Sequence, residues 1–166
     1  KDFILFISSQ SLAENYHDVH SKFKNYYENY EYEKAEPLID KYLVLAEKEF
    51  GINSKKYAIV LSNISWLYEG LGKFDEAIIF QKKILDVYDF LKFKNGFTRV
   101  YNNLCSLYYG KGQFQESENF CSESILLTIE VYGESSQELV NPYINMGVTL
   151  SSSGRQLQSI NYFEKA

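Results

Sequence analysis

Apolar side chains recur every three or four residues along most of this sequence, which is the spacing of one face of an α-helix. Glycines or an Asn-Gly pair interrupt the pattern at Gly51, Asn95-Gly96 and Gly133, as is typical of a helix end or a turn. The pattern predicts an all-α fold of eight helices, in which a shorter helix A alternates with a longer helix B. Their predicted ranges are residues 12–30, 32–50, 57–69, 74–91, 98–109, 114–132, 142–151 and 157–166.

A motif recurs along the chain at a nearly fixed period. Three asparagines are each followed nine residues later by a glycine, and successive glycines are 40 and then 42 residues apart; the pairs are Asn63 with Gly72, Asn103 with Gly112, and Asn145 with Gly154. A period of this length predicts an α-solenoid of antiparallel helix hairpins, because one hairpin alone cannot bury its apolar face. We expect about four repeats, over residues 14–52, 55–95, 97–133 and 137–166.

Small residues recur at the positions where the two helices of a hairpin are expected to meet. In helix A they are Ser65, Cys105 and Gly147, and in helix B they are Ala35, Ala77, Ser117 and Ser159. Small contact residues predict a close approach of the paired helices. The first repeat departs from the pattern, since Tyr30 replaces the turn glycine and Phe23 replaces the small residue.

These motifs resemble the tetratricopeptide repeat family. The resemblance is carried by Ile64-Ser65, Tyr68 and Ala77, and the longer period resembles the kinesin-light-chain subtype, as do Ala35-Glu-Pro-Leu38, Asn102-Asn-Leu104 with Leu107-Tyr108, and Val131-Tyr-Gly133-Glu134. It covers about residues 14–166. It implies a right-handed superhelix whose concave face, lined by the A helices, binds peptide segments of partner proteins. Similar arrays also sense ligands in larger signalling or effector proteins that carry caspase-like protease, kinase or transcriptional regulator domains, which is the alternative function.

The candidate binding site is the row of asparagines Asn63, Asn103 and Asn145. An amide side chain both donates and accepts, so one amide per repeat suits the backbone of an extended peptide. Helical spacing puts further candidates on the same face, namely Ile59, Ser62, Trp66, Arg99, Asn102 and Tyr109. A second interpretation is that these amides bond to the neighbouring repeat and only join the stack. Asn141, just before Pro142, is expected at a helix N-cap or in the first turn.

The sequence gives little indication of nucleic-acid binding, catalysis or metal binding. The net charge of −5 and the lack of a run of Lys and Arg argue against nucleic acid. We predict no catalytic residues, no metal site, no cofactor and no membrane span; His17 and His20 have the spacing of two metal ligands, but no third ligand is evident. Cys105 and Cys121 are expected to be buried and reduced, and the alternative is a disulfide between the helices of one hairpin.

The N-terminal residues 1–13 combine a short apolar core with small residues that follow it. They resemble the end of a secretory signal peptide with cleavage near Ala13, or else form a first turn that caps the array. We expect a cytoplasmic protein, or a periplasmic or exported one if the segment is a signal remnant. The sequence begins at Lys1 and ends at Ala166 within a helical pattern, which suggests a fragment of a longer protein.

Overall fold

The computed structural model describes residues 14–166, so the segment predicted over residues 1–13 lies outside the described residues. Within residues 14–166 the chain forms α-helices and two short 3-10 helices, and no strand occurs in this range. The α-helices are α1 Tyr16–Glu28, α2 Tyr32–Ala35, α3 Ile39–Phe50, α4 Lys55–Gly70, α5 Phe74–Phe90, α6 Lys94–Gly110, α7 Phe114–Tyr132, α8 Val140–Ser152 and α9 Gln156–Lys165. The predicted all-α class is confirmed.

The helices pack as four consecutive hairpins, and each hairpin packs on the next. The A helices are α1, α4, α6 and α8. Their B partners are α2 with α3, then α5, α7 and α9. Between repeats, α3 contacts α4, α5 contacts α6, and α7 contacts α8. This arrangement is the predicted α-solenoid.

The first helix B is broken where the sequence pattern predicts one continuous helix. The 3-10 helix Glu36–Leu38 separates α2 from α3, and Pro37 lies within it. A proline has no N–H to donate to the preceding turn, so a tighter 3-10 turn replaces the regular helix there. A second 3-10 helix, Gln137–Leu139, leads into α8, and Asn141 falls in the first turn of α8 as expected.

The turns between helices A and B share one backbone conformation. Gly72, Gly112 and Gly154 have φ of 71°, 77° and 83°, and Tyr30, which takes the place of the glycine in the first repeat, has φ of 59°. Side chains other than glycine adopt this left-handed region at an energetic cost. The Tyr30 side chain is 78% exposed, so neighbouring residues leave it room in this conformation.

The predicted turn at Asn95-Gly96 is wrong, because α6 begins at Lys94 and includes both residues. The reversal between α5 and α6 occurs earlier, at Lys92, which has φ of 52°. Gly96 is buried, and a Cβ atom built there would lie 2.4 Å from the ring of Tyr88. Its missing side chain thus makes room for an aromatic ring, and it does not mark a turn.

The small residues of the hairpins allow the predicted close approach. The Ser65 hydroxyl donates to the Ala77 carbonyl at 3.0 Å. In the next hairpin the Ser117 hydroxyl donates to the Cys105 carbonyl at 2.9 Å. These four residues are fully buried. A hydrogen bond between a side chain of one helix and the backbone of its partner helix forms only when the two helices pack closely.

The expectation that Cys105 and Cys121 are separate reduced thiols is wrong. The structure joins them in a disulfide between α6 and α7, with their Cα atoms 5.0 Å apart. This Cα separation lies within the usual range for disulfides, and both residues are fully buried. The alternative that the sequence left open, a bond within one hairpin, is the one observed.

An ion pair joins each repeat to the next near the turn between helices A and B. Lys73 pairs with Glu36 at 2.5 Å, and Lys111 pairs with Asp75 at 2.5 Å. At the last junction both guanidinium NH2 groups of Arg155 donate to the carboxylate of Glu118, at 3.1 and 2.6 Å. In every case the cation lies at the turn and the anion lies near the start of the preceding helix B. We call these three contacts the ion-pair ladder.

Candidate peptide-binding groove

The predicted site residues all lie on A helices. Helix α4 carries Ile59, Ser62, Asn63 and Trp66, helix α6 carries Arg99, Asn102, Asn103 and Tyr109, and helix α8 carries Asn145. Ile59 is 57% exposed, Trp66 is 38% exposed and Arg99 is exposed, whereas the others are half-buried. We call the surface formed by α1, α4, α6 and α8 the A-helix face.

The amide nitrogen of each asparagine in the row donates to a residue of the preceding repeat. Asn63 Nδ2 donates to the Tyr42 hydroxyl at 3.3 Å, and Asn103 Nδ2 donates to Gln81 Oε1 at 3.5 Å. Asn145 Nδ2 donates to Asn102 Oδ1 at 2.9 Å. The donors thus link neighbouring repeats, as the second interpretation of the sequence expected.

The side-chain oxygens of the same asparagines are still available to a ligand. Within residues 14–166 none of these three oxygens accepts a hydrogen bond. No buried side-chain nitrogen or oxygen in that range lacks a partner, so these oxygens reach solvent. Each asparagine can therefore join two repeats through its nitrogen and present an acceptor through its oxygen.

A pocket of about 330 Å³ lies between α1 and α4. It brings together Asn63 and Trp66, two of the predicted residues, with residues of α1 that the sequence did not single out as site residues. The residues that line this α1–α4 pocket are His20, Phe23, Lys24, Tyr27, Glu28, Asn63 and Trp66. The pocket therefore combines aromatic walls with amide, imidazole and charged groups.

A short hydrogen-bonded chain forms the polar side of the α1–α4 pocket. The Tyr42 hydroxyl lies 2.6 Å from His20 Nδ1 and also accepts from Asn63. Tyr42 is fully buried, and burial raises the pKa of its hydroxyl. Burial also lowers the pKa of His20, with smaller contributions from Lys24 and His17. We therefore expect a neutral imidazole at physiological pH.

A second depression, of about 410 Å³, lies between α6 and α8 and extends onto α5 and α7. It brings together the predicted residues Arg99 and Asn102, and Asn141 and Glu138 lie on its α8 side. We call it the α6–α8 groove. Tyr109 lies away from its lining residues, and the Tyr109 hydroxyl accepts from Ser152 at 3.3 Å.

The predicted residues therefore fall in three groups. Asn63 and Trp66 line the α1–α4 pocket, and Arg99 and Asn102 line the α6–α8 groove. Ile59, Ser62, Asn103, Tyr109 and Asn145 lie on the same helices but line neither depression. The sequence thus located α4 and α6, one helix of each depression, and the structure divides the candidates between two separate places.

Sequence reasoning missed the contribution of α1. Counting back from Tyr30 as the equivalent of Gly72 places His20 opposite Ser62 and Lys24 opposite Trp66. The signal was therefore present, but the atypical first repeat concealed it, because neither its turn residue nor its helix-contact residue matches the others. Tyr27 occupies the equivalent of Glu69 by the same count.

Comparisons with known proteins identify the family to which this architecture is similar. A family model described as Tetratricopeptide repeat matches residues 24–89 and 97–166. BtubC (BKLC) from P. vanneervenii is similar in structure, with a TM-score of 0.69 and 18% identity over 89% of this chain and 60% of that chain. This chain therefore spans less than two thirds of BtubC.

The crystal structure described as "Podosopora anserina putative kinesin light chain nearly identical TPR-like repeats" is also similar. Its TM-score is 0.78, with 12% identity over 98% of this chain and 80% of that chain. A form of the same repeats with one residue substituted gives 0.79, with 12% identity over 98% and 79%. At these identities the likenesses show the fold alone. No curated protein sequence matches the chain.

None of the helices within residues 14–166 has both the length and the apolar character that a membrane crossing requires.

Proposed function

The chain belongs to the tetratricopeptide repeat family, and on that premise we propose that its A-helix face binds an extended segment of a partner protein. Repeats of this family generally mediate protein–protein interaction and form a non-catalytic scaffold. The observation that carries the proposal is the pair of depressions on this face, the α1–α4 pocket and the α6–α8 groove. Each has both aromatic and polar lining groups, which is typical of binding sites.

The groups on the A-helix face suit peptide recognition. The amide oxygens of Asn63, Asn103 and Asn145 face solvent and can accept from backbone N–H groups. Trp66 offers a flat aromatic surface of the kind enriched in binding hot spots. Arg99 has no ion pair within residues 14–166, and its guanidinium can hold a carboxylate through two hydrogen bonds.

A photo-crosslinking experiment tests which surface contacts the partner. The crosslinking amino acid p-benzoylphenylalanine is placed at Ile59, on the A-helix face, or at Leu126, on the outer helix α7. These positions are matched controls because their side chains are 57% and 64% exposed. After capture from the native organism's lysate, we expect a crosslinked partner peptide from the Ile59 protein only. Crosslinking from Leu126 alone would place the binding surface on the B helices.

Affinity for the captured partner then tests individual groups. We expect Trp66→Ala or Arg99→Ala to weaken binding by about 1–3 kcal/mol, which is roughly 5- to 150-fold, without changing helicity. Leu126→Ala is the control and should bind like the unmodified protein. Replacing all three asparagines by alanine should lower both affinity and thermal stability, because their nitrogens join the repeats. Unchanged affinity in all A-helix variants would exclude the proposed surface.

A further inference from the structure

Glu69 is a carboxylate on the A-helix face that has no counter-charge. It lies on α4, one turn after Trp66. Within residues 14–166 its side chain makes no ion pair or hydrogen bond. No buried side-chain oxygen in this range lacks a partner, so the carboxylate oxygens of Glu69 are accessible from solvent. Glu28, which lines the α1–α4 pocket, pairs with Lys24 at 3.5 Å.

The surroundings of Glu69 disfavour its charge in the free protein. Burial raises the pKa of the Glu69 carboxyl, since the ionised form loses part of its hydration and gains no opposite charge in return. Glu69 is also close enough to Tyr27 to help raise the pKa of that hydroxyl, after the larger contributions of burial and Tyr32. Glu69 does not itself line the α1–α4 pocket, but it follows the lining residue Trp66 by one helical turn on α4.

The groups that line the pocket do not balance the negative charge of Glu69. His20 is expected to be neutral, and the charges of Lys24 and Glu28 offset each other. Tyr27 and Trp66 both line the pocket, and the faces of aromatic rings attract cations. A cation in the pocket thus meets two aromatic side chains, and the unpaired carboxylate of Glu69 lies one helical turn beyond Trp66.

We propose that the α1–α4 pocket binds an arginine or lysine side chain of the partner segment, with the charged end paired to Glu69 and the stem against Trp66 and Tyr27. This inference rests on the proposed function, because it names the partner chemistry at one end of the same face. The volume of about 330 Å³ is at the small end of the range for ligand sites, which suits one long side chain.

A titration with small cations tests the pocket without a partner protein. The probes are L-argininamide and L-lysinamide. Their control is L-citrullinamide, which has nearly the shape of argininamide but a neutral side chain. Trp66 is the single tryptophan of the chain, so its fluorescence reports on the pocket directly. With the 166-residue protein we expect a saturable change with argininamide or lysinamide and at least fivefold weaker binding of citrullinamide.

Two substitutions assign the effect to Glu69. Glu69→Gln keeps the shape of the side chain and removes its charge, and we expect at least a fivefold loss of affinity for the cationic probes. Glu123→Gln is the matched control, since Glu123 is an exposed carboxylate on α7 without an ion pair in the described residues. Equal binding of argininamide and citrullinamide, no saturable change with either cation, or an unaffected Glu69→Gln variant would overturn the proposal. Loss of peptide binding with the probe result intact would instead count against the proposed function.

Discussion

The position where helix A meets helix B is filled by a different pair of residues in each of the last three repeats. The two residues are always 16 positions apart. In the second repeat Gln81 Nε2 donates to the Ser65 hydroxyl at 3.0 Å, and in the third repeat a disulfide joins the pair. In the fourth repeat a glycine faces a phenylalanine ring. Each pair therefore combines a large residue with a small one, or two small residues that are bonded to each other. In each case the combined side-chain volume fits between helix A and helix B.

Gly96 provides a prediction at the scale of one residue. In an exposed helix, replacing glycine by alanine stabilises by about 0.5–1 kcal/mol. At Gly96 the added Cβ would meet the Tyr88 ring at 2.4 Å and the Phe93 ring at 2.7 Å. We therefore expect Gly96→Ala to lower the free energy of unfolding by about 1–3 kcal/mol, as measured by guanidinium denaturation.

A double-mutant cycle is the control for Gly96. In a Tyr88→Leu background the ring that blocks the Cβ is gone, so Gly96→Ala should have a much smaller effect than in the unmodified protein. If Gly96→Ala stabilises the unmodified protein, the glycine does not make room for Tyr88, and the packing between α5 and α6 is described wrongly.

Glu69 provides a second prediction at this scale, which concerns pH. Its folded-state pKa is raised by burial, so its contribution to stability is fully present below the unfolded pKa and is lost as pH rises through the folded pKa. At pH 7 the charged carboxylate is therefore unfavourable. Because the group is partly exposed, we expect Glu69→Gln to raise the melting temperature by only about 1–2 °C at pH 7.

The pH dependence of the Glu69 effect is its check. The ordinary pKa of a glutamate is 4.5, so the difference between Glu69→Gln and the unmodified protein should disappear at lower pH, where both side chains are neutral. Thermal unfolding, followed by circular dichroism at pH 7 and at a pH below 4.5, measures this difference in melting temperature. A lower melting temperature for Glu69→Gln at pH 7 would mean that the Glu69 carboxylate is stabilised by a cation or a hydrogen-bond donor within the folded protein.

The asparagine row shows how far sequence reasoning reaches at the residue scale. The repeat period placed Asn63, Asn103 and Asn145 at equivalent positions, but it did not determine their bonding partners. Those partners are 21, 22 and 43 residues away in sequence. They are a tyrosine, a glutamine and an asparagine, so the motif repeats whereas the contact does not. Long-range contacts of this kind depend on packing between repeats.

At the scale of one hairpin, the disulfide between Cys105 and Cys121 is the testable element. It closes a loop with a sequence separation of 16, which corresponds to about 3 kcal/mol in the chain-entropy model. We expect dithiothreitol to lower the melting temperature of the unmodified protein. The double variant Cys105→Ser with Cys121→Ser should melt at the lower temperature and show no response to reductant.

Mass spectrometry decides whether the disulfide forms. In guanidinium without reductant, iodoacetamide should leave both cysteines unmodified, and after reduction it should alkylate both. Alkylation of both residues before reduction would contradict the disulfide between α6 and α7. The sequence could not choose between the two states, because small buried positions suit a thiol and a half-cystine equally.

The glycines that end their own helices were predictable, whereas the break at Pro37 and the position of Gly96 inside a helix were not. Gly51 and Gly133 mark the ends of α3 and α7 as expected. Pro37 breaks the first helix B, which the apolar pattern alone did not indicate. The sequence predicts a turn at Gly96, whereas the ring that requires a glycine there, Tyr88, belongs to another helix.

At the scale of the whole molecule, the stability of a repeat array is approximately a sum over repeats and the interfaces between them. The fold was therefore predictable from the period alone, since every hairpin has an apolar face that only a neighbouring hairpin can bury. The division of the A-helix face into two depressions was not, because it depends on the residues that differ between repeats. Lys24, Trp66, Ser106 and Val148 occupy equivalent positions, yet only Lys24 and Trp66 line a depression.

The ion-pair ladder provides the prediction at this scale. Each pair lies at a different junction between repeats, so Glu36→Gln, Asp75→Asn and Glu118→Gln should act independently and their effects should add. We expect the triple variant to melt about 1–3 °C lower at low salt, because exposed pairs each contribute little. Glu118→Gln should have the largest effect, since its two hydrogen bonds to Arg155 fix the geometry.

Salt concentration separates the ladder from other causes of destabilisation. The screening length falls from about 10 Å at 0.1 M to about 3 Å at 1 M, so the triple variant and the unmodified protein should converge at high salt. Glu123→Gln, which removes an exposed charge outside the ladder, should match the unmodified protein under both conditions. A triple variant that melts lower by the same amount at both salt concentrations would show that the substitutions act through packing, and that charge does not hold successive repeats in register.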